Sequence, residues 1–216
     1  MAIGKSTWSR ISKTPFLFCF LILCNACGGI GVKQDAETKT ESLTFDFVLN
    51  GDIIYRYGNG YFSRYFRDFS EKEKIYSHAG IIEIRHDSIF VIHSEADEFT
   101  GIGGVKEDPL PVFMEDAFPW AVYRPDVPQS VRDKIVEKAL GYVRKKTPFD
   151  LSFDAGSDES LYCTELIAVC MNKASGKTLV RPGVRVKGKQ FYSIDDTYLI
   201  KEMKLVYKSD QAETGK

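Results

Sequence analysis

The chain is short of cysteine, histidine and net charge, and it has no apolar run long enough to cross a bilayer. Each shortage excludes a class of protein. Of five cysteines, Cys19, Cys24 and Cys27 fall in the first thirty residues, which leaves Cys163 and Cys170 for the remainder. A disulfide framework is therefore excluded. On one helix those two would share a face about 10 Å apart along the axis, beyond the ~7 Å Cα limit for a bridge. The three histidines and these two cysteines show no paired ligand spacing, so neither a zinc site nor a cofactor is expected. Lysine plus arginine (29) balances aspartate plus glutamate (30) with the signs interspersed, for a net charge of -1. No nucleic acid partner follows from that balance.

What is present begins with a leader. Lys5, Arg10 and Lys13 precede the apolar run Phe16-Leu17-Phe18-Cys19-Phe20-Leu21-Ile22-Leu23, far shorter than the roughly 20 residues a spanning helix needs. Small residues follow it, so residues 1–26 read as a secretory signal. Ala26-Cys27-Gly28 resembles a bacterial lipoprotein processing site, with Cys27 as the lipidated N-terminus, although Cys24 holds the place usual for leucine and Leu23 lies one further back. Diacylation plus N-acylation would anchor the chain stably to the extracytoplasmic side of a bacterial envelope membrane. Ordinary secretion with cleavage near Ala26 is the competing reading.

A polar linker over 27–43 then leads to one domain over 44–208, about 165 residues, and 209–216 is a polar tail. That length supports one sizeable core. Phe45 to Arg56 reads as strand interrupted by an Asn50-Gly51-Asp52 turn, and Tyr57 to Lys74 as loop with a short helix. Tyr76 to Arg85 and Ser88 to Ser94 form a hairpin about His86-Asp87. Val105 to Val112 and Ala121 to Arg124 follow as strands. Gln129 to Val143 is a helix with an apolar stripe, and a short helix about Asp195-Asp196 and a strand, Met203 to Tyr207, close the domain.

The chemistry centres on Cys163, which opens the apolar helical run Thr164-Glu165-Leu166-Ile167-Ala168-Val169-Cys170. Backbone N–H groups and the dipole at a helix N-terminus favour a thiolate, and a nearby imidazole can take its proton. His78 is the candidate base. Strand alternation puts His78 on one face with Ile82 and Ile84, and His93 on one face with Val91 and Glu95. A two-residue turn at Arg85-His86 sets His78 opposite His93, and one at His86-Asp87 sets it opposite Glu95, with the diagonal neighbour in reach either way. Tyr55 or Tyr57 could lend a hydroxyl to an oxyanion. Asp52 reads as a turn residue, Glu165 as a helix N-terminal cap, His86 as solvated and Cys170 as core.

In order along the chain, Gly51-Asp52-Ile53-Ile54, Ser77-His78-Ala79-Gly80-Ile81, Pro148-Phe149-Asp150 through Phe153, Tyr162-Cys163-Thr164-Glu165-Leu166 and Asp195-Asp196 resemble the permuted papain-like amidases of the NlpC superfamily, the YiiX and YaeF branch. The histidine precedes the cysteine, the reverse of ordinary papain, as permutation requires. The resemblance implies an α+β papain-like fold, an antiparallel sheet or barrel packed on helices, and a Cys–His–polar triad. Cys163 would be the nucleophile, His78 its base and His93 the third member, with Glu95 as its alternate and Tyr55 as an oxyanion donor. The expected activity is hydrolysis of amide bonds in cell-wall peptide or N-acyl amino acids through a thioester. A lipid-directed acyl hydrolase or acyltransferase, and a catalytically weak envelope binding protein, are the alternatives.

Overall fold

The structure, a computed structural model, describes residues 44–58, 61–186 and 188–209. The leader, the linker and the tail beyond Ser209, Cys27 among them, lie outside the described residues. Among those described, no helix is long and apolar enough to cross a membrane.

Among the described residues, eight strands and five helices follow in the order β1 (Ile53–Arg56), α1 (Tyr61–Asp68), β2 (His78–Arg85), β3 (Ser88–Ala96), β4 (Gly103–Pro109), α2 (Leu110–Phe113), β5 (Trp120–Pro125), α3 (Gln129–Lys145), α4 (Cys163–Ser175), β6 (Val184–Val186), β7 (Lys189–Phe191), α5 (Ile194–Tyr198) and β8 (Met203–Lys208). Six strands form one antiparallel sheet in the order β4-β3-β2-β1-β5-β8, with β6 and β7 paired apart from it. The sheet stays open as a layer and, among the described residues, does not close into a barrel.

Period-2 alternation divides the apolar residues between two cores. Ile53, Tyr55, Ala79, Ile81, Ile92, Ala121 and Tyr123 meet Ile135 and Ala139 of α3 and Leu166, Ile167 and Cys170 of α4. From the opposite face Ile54, Ile82, Val91, Trp120 and Val122 meet Leu110 and Phe113 of α2, and Val48. Gly51 at φ 83° brings the turn before β1 against α3, where a Cβ would stand 2.6 Å from the Arg132 carbonyl oxygen.

Most expected elements are present, with three departures. The strand expected from Phe45 is turn and coil up to Asp52, and β1 begins only at Ile53. The strand expected from Val105 to Val112 stops at Pro109, and Leu110 to Phe113 wind into α2 directly after it. The proline ring has no N–H to donate to a ladder, so pairing ends there although the residues beyond it are apolar. The β6–β7 hairpin was not expected from the sequence, because three-residue strands carry too little alternation to register.

Candidate active site

The β2–β3 turn fixes the geometry of the site. His86 and Asp87 both adopt positive φ, 47° and 52°, closing a two-residue turn in which Arg85 pairs with Ser88. That is the turn type whose twist matches a hairpin. Continued along the strands, this register sets His78 opposite Glu95 and makes His93 its diagonal neighbour. The ladder itself runs only as far as Ile81 opposite Ile92. Beyond that point β3 pairs with β4 alone, and β2 and β3 part.

Cys163 sits at this parting. The N–H groups of Thr164, Ala79 and Cys163 itself face its sulfur and pull the thiol down. The helix start is held in place from both sides. Val105 N–H donates to the Thr147 carbonyl at 2.9 Å and Phe149 N–H to the Gly103 carbonyl at 3.1 Å. A Cβ on Gly104 would lie 2.3 Å from the Thr147 oxygen, so glycine permits this approach. Leu161 N–H then donates to the Pro148 carbonyl at 3.0 Å, and Ser94 Oγ donates to the Leu161 carbonyl at 2.5 Å. Tyr162 is extended and Cys163 begins α4, which ends at Gly176 in the left-handed conformation. Glu165, at the third helical position, accepts the Tyr162 N–H as a capping residue does.

His78, 8 % exposed, places Nε2 at 2.9 Å from His93 Nδ1. His93 in turn places Nε2 at 3.0 Å from Asp108 Oδ2. The carboxylate fixes the tautomers: it accepts from His93 Nε2–H, so His93 Nδ1 carries a lone pair and accepts from His78 Nε2–H. His78 Nδ1 is left as the basic nitrogen. The hydrogen bond from His93 holds the Asp108 carboxyl well below the usual carboxylate range. Rings of His78 and His93 stand nearly perpendicular, with Phe113 beside both.

Cys163 and His78 line one cavity of about 80 Å³ with Arg56, Ser77, Glu95 and Phe149. A larger groove of about 570 Å³, lined by Asp97, Ile102, Lys106 and Lys146, shares Glu95 and Ala96 with it. Burial pushes the Cys163 thiol up to about 12, against the pull of the three N–H groups. Burial likewise lowers His78 well below its ordinary value, with His93, Arg56 and Lys106 adding to the effect. The resting pair is thus thiol and neutral imidazole. Desolvation outweighs the helix N-terminus that the sequence offered as a thiolate stabiliser.

Tyr55 lies deeper than a surface donor would. It is fully buried, its hydroxyl donates to the Thr197 carbonyl at 3.2 Å, and it packs among Tyr76, Tyr123 and Tyr198. Its parity faces it into the helix-side core that also holds Cys163, and its hydroxyl hydrogen is committed to Thr197. Glu95 is bound to Lys106 at 2.9 Å and makes no hydrogen bond to either histidine. Asp52 holds Arg124 through both carboxylate oxygens and caps the Leu49 N–H, the turn role expected of it. Cys170 is free and fully buried.

Ligand spacing along the sequence gave no metal site, yet the fold gathers His93, Glu95 and Asp108 with one donor atom each, all within 4.8 Å of one another. A strand pair at i and i+2 plus a cross-strand aspartate is a spacing that sequence motifs do not encode. Lys106 Nζ lies 2.9 Å from Glu95 and 3.0 Å from Asp108. The ammonium already supplies the positive charge at this cluster, and the residues as arranged do not fit a divalent cation.

The order of elements, the split sheet and the Cys163–His78–His93 arrangement can be set beside known proteins. Residues 48–202 match the family described as permuted papain-like amidase enzyme, YaeF/YiiX, C92 family. The chain belongs to this family. Among solved structures it is similar to that of the metalloprotein yiiX from Escherichia coli O157:H7, with a TM-score of 0.61 at 18 % identity, over 74 % of this chain and 97 % of that one. That likeness supports the permuted papain-like fold. No curated protein matches the chain.

Asp108, Lys106 and Arg56 were not singled out in the sequence. Asp108 and Lys106 alternate on a strand that looked like ordinary edge polarity, and Arg56 follows an apolar strand as many solvated arginines do. Only the cross-strand pairings of Val91 with Asp108, His93 with Lys106 and His78 with Arg56 bring them to the site.

Proposed function

We propose that the chain is a cysteine amidase or peptidase that cleaves amide bonds of cell-wall peptide or N-acyl amino acid substrates through a thioester. The observation that carries this reading is the His78 imidazole, with Nε2 committed to His93 and Nδ1 left basic, in the same small cavity as Cys163. Cys163 Sγ attacks the carbonyl carbon as its proton passes to His78. His78 then delivers that proton to the leaving nitrogen as the C–N bond breaks. Water, deprotonated by His78, hydrolyses the thioester and restores the thiol. The Cys163 N–H, at the first helical position, has no intrahelical carbonyl acceptor, and once the sulfur is acylated it can turn from Sγ to the oxyanion.

His93 and Asp108 position the base. A neutral histidine as third member can only orient the imidazole, and Asp108 supplies the charge one residue further out. The walls favour peptide chemistry over a lipid chain: Arg56, Glu95 and Glu98 line the cavity, and Asp97, Lys106 and Lys146 the adjoining groove. The yiiX structure is described as that of a metalloprotein, but Lys106 stands where a cation would sit here, so no step passes through a metal.

The same reading places the protein on the extracytoplasmic face of an envelope membrane, held by lipid on Cys27. Cys27→Ser abolishes incorporation of radiolabelled palmitate on this view, and continued labelling refutes the site. For the enzyme, full-length protein and Cys163→Ala are incubated with cell-wall peptides, N-acyl amino acids and acyl esters. Amine release by the wild type alone is expected. Equal release by Cys163→Ala, or turnover confined to acyl esters, overturns the proposal.

A further inference from the structure

Arg56 is a largely covered cation with too few partners. Its side chain is 15 % exposed, and Nε is buried with no hydrogen-bond partner among the described residues. The one carboxylate within 4 Å among them, Glu95, is 3.9 Å away and is already taken by Lys106 at 2.9 Å. Its guanidinium lies over the Phe113 ring at 4.8 Å from the centroid, a contact that orients the group and leaves its hydrogen-bonding edge open. Keeping an arginine desolvated without a bidentate acceptor is costly, and its place is where such a cost can serve binding. Arg56 lines the cavity that holds Cys163 and His78, and it is the direct cross-strand partner of His78.

We infer that Arg56 is the specificity-determining residue that binds a carboxylate on the leaving group, so that the substrate is an amide whose released amine is an amino acid or a C-terminal residue. The inference rests on the amidase reading for the reaction but not for the binding. The side of the scissile bond follows from proton delivery: the leaving nitrogen must lie by His78 to be protonated, and Arg56 stands directly across the strand pair from His78. A carboxylate one carbon from that nitrogen is brought to the guanidinium, whose planar fork matches two carboxylate oxygens. The cavity of about 80 Å³ suits a small carboxylate-bearing group, and the adjoining groove of about 570 Å³ leaves room for the rest of the substrate. In the reaction the sulfur–carbon bond forms, the C–N bond breaks, and the thiol proton leaves on the amino acid nitrogen.

The test compares N-acetyl-L-alanyl-L-alanine with its C-terminal amide, which keeps the size but replaces the carboxylate by a neutral carboxamide. Binding of each to full-length Cys163→Ala protein is measured by calorimetry, then repeated with Arg56→Lys or Arg56→Gln added and folding checked by thermal melting. The acid is expected to bind about 100-fold more tightly than the amide, the preference shrinking with lysine and approaching unity with glutamine. Equal binding of acid and amide overturns the inference, as does no binding of either, or a preference that survives Arg56→Gln. The acid–amide comparison stands even if the Arg56 variants fail to fold. Turnover by the wild type is scored separately: carboxylate-selective binding without hydrolysis sinks the amidase reading and leaves the role of Arg56 intact.

Discussion

His78 bonds diagonally to His93, Nε2 to Nδ1 at 2.9 Å, and not to Glu95, which the hairpin register sets across from it. Lys106 explains the choice. On β4 it is the cross-strand partner of His93 and draws Glu95 away at 2.9 Å, leaving the diagonal histidine to meet the base. Asp108, two residues further along β4, then fixes the His93 tautomer.

Asp108 is therefore expected to act on the chemical step and not on substrate affinity. Asp108→Ala lowers kcat about 100-fold with KM little changed, and Asp108→Asn, which still accepts from His93 Nε2, falls less. The pH profile is a second readout. Catalysis needs neutral His78, whose pKa lies below its ordinary 6.5, so kcat/KM should hold level from pH 8 through 6.5 and decline only in more acid solution. A rise in KM at constant kcat would remove Asp108 from this role.

The thiol makes a sharper prediction. Held up to about 12 by burial, Cys163 is protonated at neutral pH, so alkylation of resting full-length protein by iodoacetamide should be slow at pH 7. The thiolate fraction, and with it the rate, should climb about tenfold per pH unit up to pH 10. The modified peptide is identified by mass spectrometry, which separates Cys163 from the other thiols. A rate plateau between pH 6 and 7 would reveal a thiolate–imidazolium pair and contradict the neutral resting site.

How far such features could be read beforehand depends on range. That Cys163 opens a helix and that His78 sits on a strand were legible because a local signal marks each: the start of an apolar run and period-2 alternation. The His86-Asp87 turn was legible too, and with it the two allowed partners of His78. What stayed hidden were relations across strands. Nothing within a few residues of Asp108 or Arg56 announces the histidine that each faces, and nothing near Tyr55 announces the Thr197 carbonyl that takes its hydroxyl. Helix-terminus electrostatics had the right sign but is outweighed, since burial of the thiol depends on residues distributed over the whole sheet.

Glu165 offers a test through stability. It is 1 % exposed, one oxygen accepts the Tyr162 N–H and the other, Oε2, is buried without a partner among the described residues. Burial pushes its carboxyl up to about 9, with Asp150 adding to the rise. The unfolded carboxyl ionises above about 4.5 while the folded one keeps its proton, so the group's contribution is full below 4.5 and is lost as pH rises towards 9. At pH 7 the difference amounts to roughly 3 kcal/mol. Glu165→Gln should stabilise the protein at pH 7 by an amount of that order and flatten the slope of denaturant stability over this window. An unchanged slope would mean that the carboxyl is ionised in the fold.

Lys106 can be examined by asking what happens without it. In the wild type its ammonium bridges Glu95 and Asp108 at 2.9 and 3.0 Å, and a divalent cation would have to expel that charge and also break the Asp108–His93 hydrogen bond. Zinc at micromolar concentration should therefore leave the wild-type melting temperature unchanged. Lys106→Met removes the competing charge and keeps much of the side-chain bulk, so His93, Glu95 and Asp108, with donors within 4.8 Å, become free to take the metal. In that variant zinc should raise the melting temperature by several degrees, as binding to the folded state alone requires. It should also slow catalysis, because a metal on His93 Nε2 displaces Asp108 from the nitrogen that sets the tautomer of the whole relay. A zinc-dependent rise in the wild type would show that the cluster admits a cation despite the lysine, and the exclusion of metal from the mechanism would fall with it.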